Sequence, residues 1–226
     1  MGLLEHRILL ESRSMGELDR QLDRDIGKHC LAWHVVVLFA ERKEGAEMIV
    51  YLDMDGVLVN FVEGTYRAFG KKYHYDDLLR SMRWNYFEDW GLDFQEVDAV
   101  CTTDFWAGLR WMHDGREIIS MLEEKFGKKN IFLLTAPMPN PGSGTGKIQW
   151  VKRHLPEYSN RLIISSAPKC LFARPNTLLV DDKDSNVDDF WRYGGGKAIL
   201  VPRPWNELHG WANITLHVVK NSLESL

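Results

Sequence analysis

The chain is poor in several features that would otherwise set its class. Its three cysteines, Cys30, Cys101 and Cys170, are odd in number and lack metal-type spacing, which argues against a disulfide framework and for reduced thiols in a cytoplasmic protein. Positive charge is not in excess: a net charge of −4 and a pI near 6.1 leave no broad electrostatic footprint for duplex nucleic acid. The longest apolar run near the N-terminus, Leu31 to Ala40, is too short to span a bilayer, and no convincing cleavage site follows it. No membrane partner is therefore expected. The eight histidines, among them His74, His113, His154 and His209, show no metal spacing, and internal repeats are missing. A soluble protein that holds a small anion at one site fits this balance best.

What is present is core material. With 226 residues, 45% hydrophobic and 12% aromatic, the chain can bury one domain and a small accessory one. From Met48 onward, strand-type runs (MIVYLDMD, NIFLLTAP, RLIISS, TLLVDD, KAILV) alternate with helical patterns (FVEGTYRAFG, REIISMLEEKFG, GKIQWVKRHL, NVDDFWRYG). That alternation predicts an α/β fold, a doubly wound parallel sheet with helices on both faces. Ile118, Ile119, Met121, Leu122 and Phe126 make one helical stripe, whereas IFLL and TLLV are continuous and apolar, as buried parallel strands are. Between the first strand and REIISML lies an aromatic-rich stretch without a clear parallel-strand signal. It predicts a small, mainly helical cap inserted at about residues 62 to 112.

Residues 1 to 47 are charged and weakly patterned, so the domain is expected to occupy residues 48 to 226 behind an N-terminal extension. Lys43, Glu44 and Gly45 can be encoded by a purine-rich ribosome-binding sequence ahead of a Met48 start codon, which would place the extension outside the native protein. The intact mass of the native protein decides between that and a genuine helical extension.

Four features follow one another at predicted strand ends, the edge where open α/β sheets bind ligands. Asp53-Met54-Asp55-Gly56-Val57 follows the strand IVYL. Two carboxylates one residue apart leave a strand on the same side, so Asp53 can attack phosphorus while Asp55 handles the leaving-group proton. Gly56 permits a sharp turn. Thr135 ends IFLLT, where its hydroxyl and the amide of Ala136 can donate to a phosphoryl oxygen; a simple cap is the plainer role. Lys147 is expected to open the helix KIQWVKRHL after a flexible Gly/Ser/Pro loop, and there it can neutralise charge on the nucleophile and the phosphoryl group, or else be a solvated lysine. The loop PGSGTGKI imitates a phosphate-binding Walker A loop, but Pro141 and Ile148 break that pattern at both diagnostic positions. Asp181-Asp182 follows TLLV and faces Asp53 across the sheet, a hard oxygen site suited to Mg²⁺.

In that order, DMDGV, Thr135, Lys147 and the Asp181-Asp182 pair resemble the four motifs of the haloacid dehalogenase superfamily over about residues 48 to 201. The resemblance implies an aspartyl-phosphate at Asp53, acid and base roles for Asp55, and phosphate binding by Thr135 and Lys147. It also implies Mg²⁺ held by Asp53, the Asp55 carbonyl and Asp181 or Asp182. The second acid marks phosphatases rather than dehalogenases. DMDGVLVNF, K-x-x-W-V from Lys147 to Val151 and the short cap resemble the 5'(3')-deoxyribonucleotidases, which implies a nucleoside monophosphate substrate. By that resemblance Phe61 stacks on the base, Trp84, Asn85 and Tyr86 add cap contacts, and Lys169 lines the phosphate side. Plain core packing is the other role open to Phe61 and Trp84. The chain departs from the family at Thr135-Ala136, where Thr-Ser is usual. A superfamily phosphatase acting on a sugar phosphate or a polynucleotide end is the rival expectation, and a non-catalytic binding protein on the same fold is a further one. Trp191, Trp205 and Trp211 belong to the core or to a dimer surface, which leaves a homodimer open.

Overall fold

The computed structural model describes residues 47–78 and 84–226. The expected extension therefore lies outside the described residues except for Glu47, and Cys30 lies outside them too. Among the described residues five parallel strands form one sheet in the order β3-β2-β1-β4-β5. They are β1 (Ile49–Leu52), β2 (Ile131–Thr135), β3 (Leu162–Ile164), β4 (Thr177–Asp181) and β5 (Lys197–Leu200). Strand β4 is buried on both faces, with Leu178, Leu179 and Val180 at 0% exposure, β2 is buried at all but Phe132, and β1 buries Val50 and Leu52 while Ile49 and Tyr51 are half-buried, which is why these sequences read as largely apolar runs. Register fixes the site. Leu52 pairs with Leu133 on one side and Val180 on the other, so Asp53 and Asp181 leave adjacent strands side by side.

The helices are α1 (Phe61–Ala68), α2 (Tyr75–Leu78), α3 (Phe94–Val100), α4 (Thr103–Ala107), α5 (Gly115–Phe126), α6 (Gly142–His154), α7 (Asp184–Gly194) and α8 (Thr215–Glu224). The stripe read in the sequence buries Ile118, Ile119 and Leu122 of α5, leaving Met121 and Phe126 half-buried. The regular elements among the described residues of the inserted segment are helices, joined by turns and coil. Two of its elements begin with caps: Asp93 accepts from the Glu96 amide and its own amide donates to the Glu96 carboxylate, and Thr102 accepts from the Phe105 amide.

One expectation fails. Lys147 does not open its helix, because α6 begins at Gly142 and the supposed loop GSGTG forms its first turns. Each glycine in a helix interior costs about 1 kcal/mol relative to alanine. Here two of them are imposed by packing. A Cβ on Gly142 would lie 2.5 Å from the Thr103 amide nitrogen, and one on Gly146 would lie 2.4 Å from the Trp106 Cβ and 2.5 Å from the Thr103 carbonyl oxygen. The glycines let α4 of the cap lie directly on α6, and that contact places Trp106 over Lys147.

Candidate active site

The turn after β1 is built on Met54, whose carbonyl accepts the amides of Leu58 and Val59, both at 2.8 Å. Gly56 sits at φ 74°, and a Cβ there would lie 2.0 Å from Asp182 Oδ2. Only glycine serves at this position, for its backbone conformation and for the close approach of the acid.

The two lysines contact different carboxylates. Lys169, buried, donates to Asp53 Oδ1 at 2.7 Å and to Asp181 Oδ2 at 2.6 Å. Lys147, also buried, donates to an Asp55 carboxylate oxygen, to Thr135 Oγ1 at 2.7 Å and to the Ala136 carbonyl at 2.7 Å, and lies 4.4 Å from the centre of the Trp106 ring. The cation on Asp53 is thus Lys169, whereas the sequence pointed to Lys147 for that contact. The two lysines reach the site from different elements, which spacing alone does not reveal.

Asp53, Asp181 and Asp182, all buried, bring carboxylate oxygens within 4.8 Å of one another. Asp181 is saturated: beyond Lys169 it accepts from the Lys183 amide at 2.9 Å and from the Asn186 side chain at 3.1 and 3.2 Å. Asp182 Oδ2 accepts from the Trp205 indole at 2.6 Å. Were Asp53, Asp55, Asp181 and Asp182 all ionised beside the two ammonium groups, a surplus of two negative charges would remain. Burial, the largest cause, pushes Asp53 up to about 7, with Asp181 and Asp55 adding to the rise and Lys169 opposing it. Burial likewise holds Asp182 well above the ordinary carboxylate range, with Asp181 and Asp53 adding and Trp205 opposing. Burial also works against the charge of Lys169, but Asp53 and Asp181 outweigh it and raise that group. A dry cluster of hard oxygens with a surplus of two charges fits a divalent cation. Among the described residues no histidine belongs to the cluster.

These shifts give a stability prediction. An acid whose native pKa is raised keeps its proton in the folded chain after the unfolded chain has lost it. Between about 3.9 and the native value of about 7 for Asp53, stability of the metal-free chain therefore falls as pH rises. The melting temperature in EDTA is expected to be lower at pH 8 than at pH 5, and added Mg²⁺ to raise it more at pH 8. An equal gain at both pH values would contradict the charge surplus.

Beside this polar cleft opens an apolar one of about 360 Å³. Phe61, Trp84, Asn85 and Tyr86 all line it, together with Phe94 and Trp106, while Asp55, Trp84, Ala136 and Lys183 border both clefts. Phe61 stacks on Trp106 with centroids 5.2 Å apart at 17°. Tyr86 is buried and its hydroxyl bonds to Thr65, so its polar end is tied to α1.

Sequence reasoning missed the groups that brace these acids. Arg203, fully buried, forms a bidentate pair with Asp114 at 2.7 and 2.8 Å and donates through Nε to the Gly56 carbonyl. Asn206 donates to the carbonyls of Asp182 and Val201, each at 2.8 Å. Of the three C-terminal tryptophans, Trp205 is buried against the acid cluster, whereas Trp191 and Trp211 are exposed. The run VPRPWN after β5 was the available signal, because arginine and asparagine among apolar residues require partners.

Comparison with known proteins agrees with this geometry. Residues 47–215 match the family described as 5' nucleotidase, deoxy (pyrimidine), cytosolic type C protein. A protein of Vibrio phage KVP40, provisionally named a 5'(3')-deoxyribonucleotidase, is 30% identical over 148 residues, covering 65% of this chain and 73% of its own length. With its parallel sheet, its insertion after β1 and its acids at the carboxyl edge, the chain belongs to this family of haloacid dehalogenase-like nucleotidases and is a phosphomonoester hydrolase.

Proposed function

We propose that the protein releases phosphate from deoxynucleoside monophosphates in a Mg²⁺-dependent reaction through a phosphorylated Asp53. The observation that carries this reading is the pairing of two clefts at Asp55, one polar and acid-lined, the other apolar and aromatic. The polar cleft takes the phosphate and the aromatic cleft takes the base, whose flat ring stacks on Phe61 and Trp84 at small entropic cost.

Lys169 holds Asp53 Oδ1, leaving the other carboxylate oxygen to attack phosphorus. As the Asp53–phosphorus bond forms, the ester bond breaks and the leaving oxygen takes a proton from Asp55. Lys147 fixes one Asp55 oxygen, and Oδ1, which has no hydrogen-bond partner among the described residues, is the oxygen through which the proton would pass. Asp55, now ionised, takes a proton from water as the water oxygen attacks phosphorus, and Asp53 departs as a free carboxylate. Thr135 and the Ala136 amide bind phosphoryl oxygens, and Lys169 offsets charge beside them. Asp53, Asp182 and the Asp55 carbonyl would hold the cation, since both Asp181 oxygens are already engaged; bound there, Mg²⁺ would supply positive charge to the phosphoryl oxygens.

The family match over residues 47–215 supports a domain that starts near residue 48, which we read as running to 226 with a cap at about 62 to 112. No helix among the described residues is long and apolar enough to cross a membrane, which is consistent with a cytoplasmic enzyme. Phosphate release from dUMP, dTMP, dGMP, their 3' isomers and several sugar phosphates tests the substrate. Nucleotides are expected to exceed sugar phosphates in kcat/KM by at least about 100-fold, about the 3 kcal/mol that two stacked rings supply. Release from sugar phosphates alone would keep the hydrolase and overturn the nucleotide.

A further inference from the structure

The loop after β5 connects the cap to the acid cluster. Trp205 is 8% exposed and donates its indole N–H to Asp182 Oδ2 at 2.6 Å. Its ring also stacks on Trp84 of the inserted segment, with centroids 5.9 Å apart and planes 14° from parallel. Trp84 is 41% exposed and borders both clefts. One indole therefore touches a cap residue with its face and a buried carboxylate with its edge. Its seat is rigid: Asn206 accepts the amides of Arg203 and Leu208 at 3.2 and 3.1 Å and donates to the Asp182 carbonyl, so the backbones of Asp182 and of this loop are held together.

We propose that Trp205 is a positioning residue that orients Asp182 for the divalent cation and couples occupancy of the aromatic cleft to cation binding through its stack on Trp84. The proposal rests on the reading that Asp182 holds the cation. A donor fixed on one carboxylate oxygen leaves the other to the metal, and loss of such an outer partner typically weakens metal affinity by about 10- to 100-fold. Because the coupling is a free energy shared between two sites, a ligand in the aromatic cleft must tighten the cation by the factor by which the cation tightens the ligand.

The experiment titrates Mn²⁺, read by its paramagnetic resonance signal, into the full chain with and without a non-hydrolysable deoxynucleoside phosphonate. Wild type is expected to bind Mn²⁺ and to bind it more tightly with the phosphonate. Trp205→Phe, which keeps the stack and loses the N–H, should weaken Mn²⁺ alone by at least about tenfold. Trp84→Ala, which keeps the N–H and loses the stack, should leave Mn²⁺ alone unchanged and reduce the tightening at saturating phosphonate to the part that direct contact between the phosphonate and the cation supplies. A wild-type Mn²⁺ midpoint in a folded Trp205→Phe would overturn the orienting role, and full tightening in Trp84→Ala would overturn the coupling. Wild type that binds no Mn²⁺ would instead overturn the cation reading beneath both.

Discussion

Asp53→Asn is expected to abolish turnover, lowering kcat by at least about 10⁴-fold, while the folded chain survives. The reason is local. An amide is isosteric with the carboxylate but cannot attack phosphorus, and no other described carboxylate occupies its place: Asp181 is saturated by Lys169, Lys183 and Asn186, and Asp55 is held by Lys147. The fold should tolerate the change because Asp53 shares a buried cluster with two other acids, so its charge is crowded rather than stabilising in the metal-free chain. Steady-state phosphate release and a thermal melt check both halves. Ordinary turnover by a folded Asp53→Asn protein would refute covalent catalysis at this residue.

Chelation is the second large effect. Stripping divalent cations with EDTA should bring phosphate release to background, and Mg²⁺ in excess should restore it fully. The cause is charge: four ionised acids against two lysines would leave a surplus of two, so two of the acids resist ionisation, and a phosphate entering that cleft adds more negative charge. A divalent cation removes the surplus and lets Asp53 enter as a carboxylate at neutral pH. Activity unchanged by EDTA would remove the metal from the account and leave Lys169 to carry the phosphoryl charge.

Much of this site was legible in the sequence because parallel strands buried on both faces cannot be disguised. The cores of IVYL, IFLLT and TLLVD are apolar, and such strands end at one edge, so Asp53, Thr135 and Asp181 could be placed together from the sequence. The start of α6 was not legible. Glycines and a proline signal a loop by local propensity, and the close approach of α4 that makes them helical here is a contact across about 40 residues of chain. The partition of Lys147 and Lys169 between Asp55 and Asp53 failed for the same reason, since each lysine is positioned by its own element rather than by its spacing from the acids. Asp93 with Glu96 and Thr102 were readable caps, the first matching a capping box, that went unused in an aromatic-rich stretch. Arg203, Trp205 and Asn206 lie about 150 residues beyond Asp53, and their roles exist only in the folded chain.

The most direct measurement is an acid-quenched single turnover with dTMP labelled in its phosphate, followed by peptide mapping. The account predicts label on the peptide that contains Asp53, lost on treatment with neutral hydroxylamine as an acyl phosphate should be, and absent in Asp53→Asn. Label carried by any other side chain, or label that persists in Asp53→Asn, would contradict it.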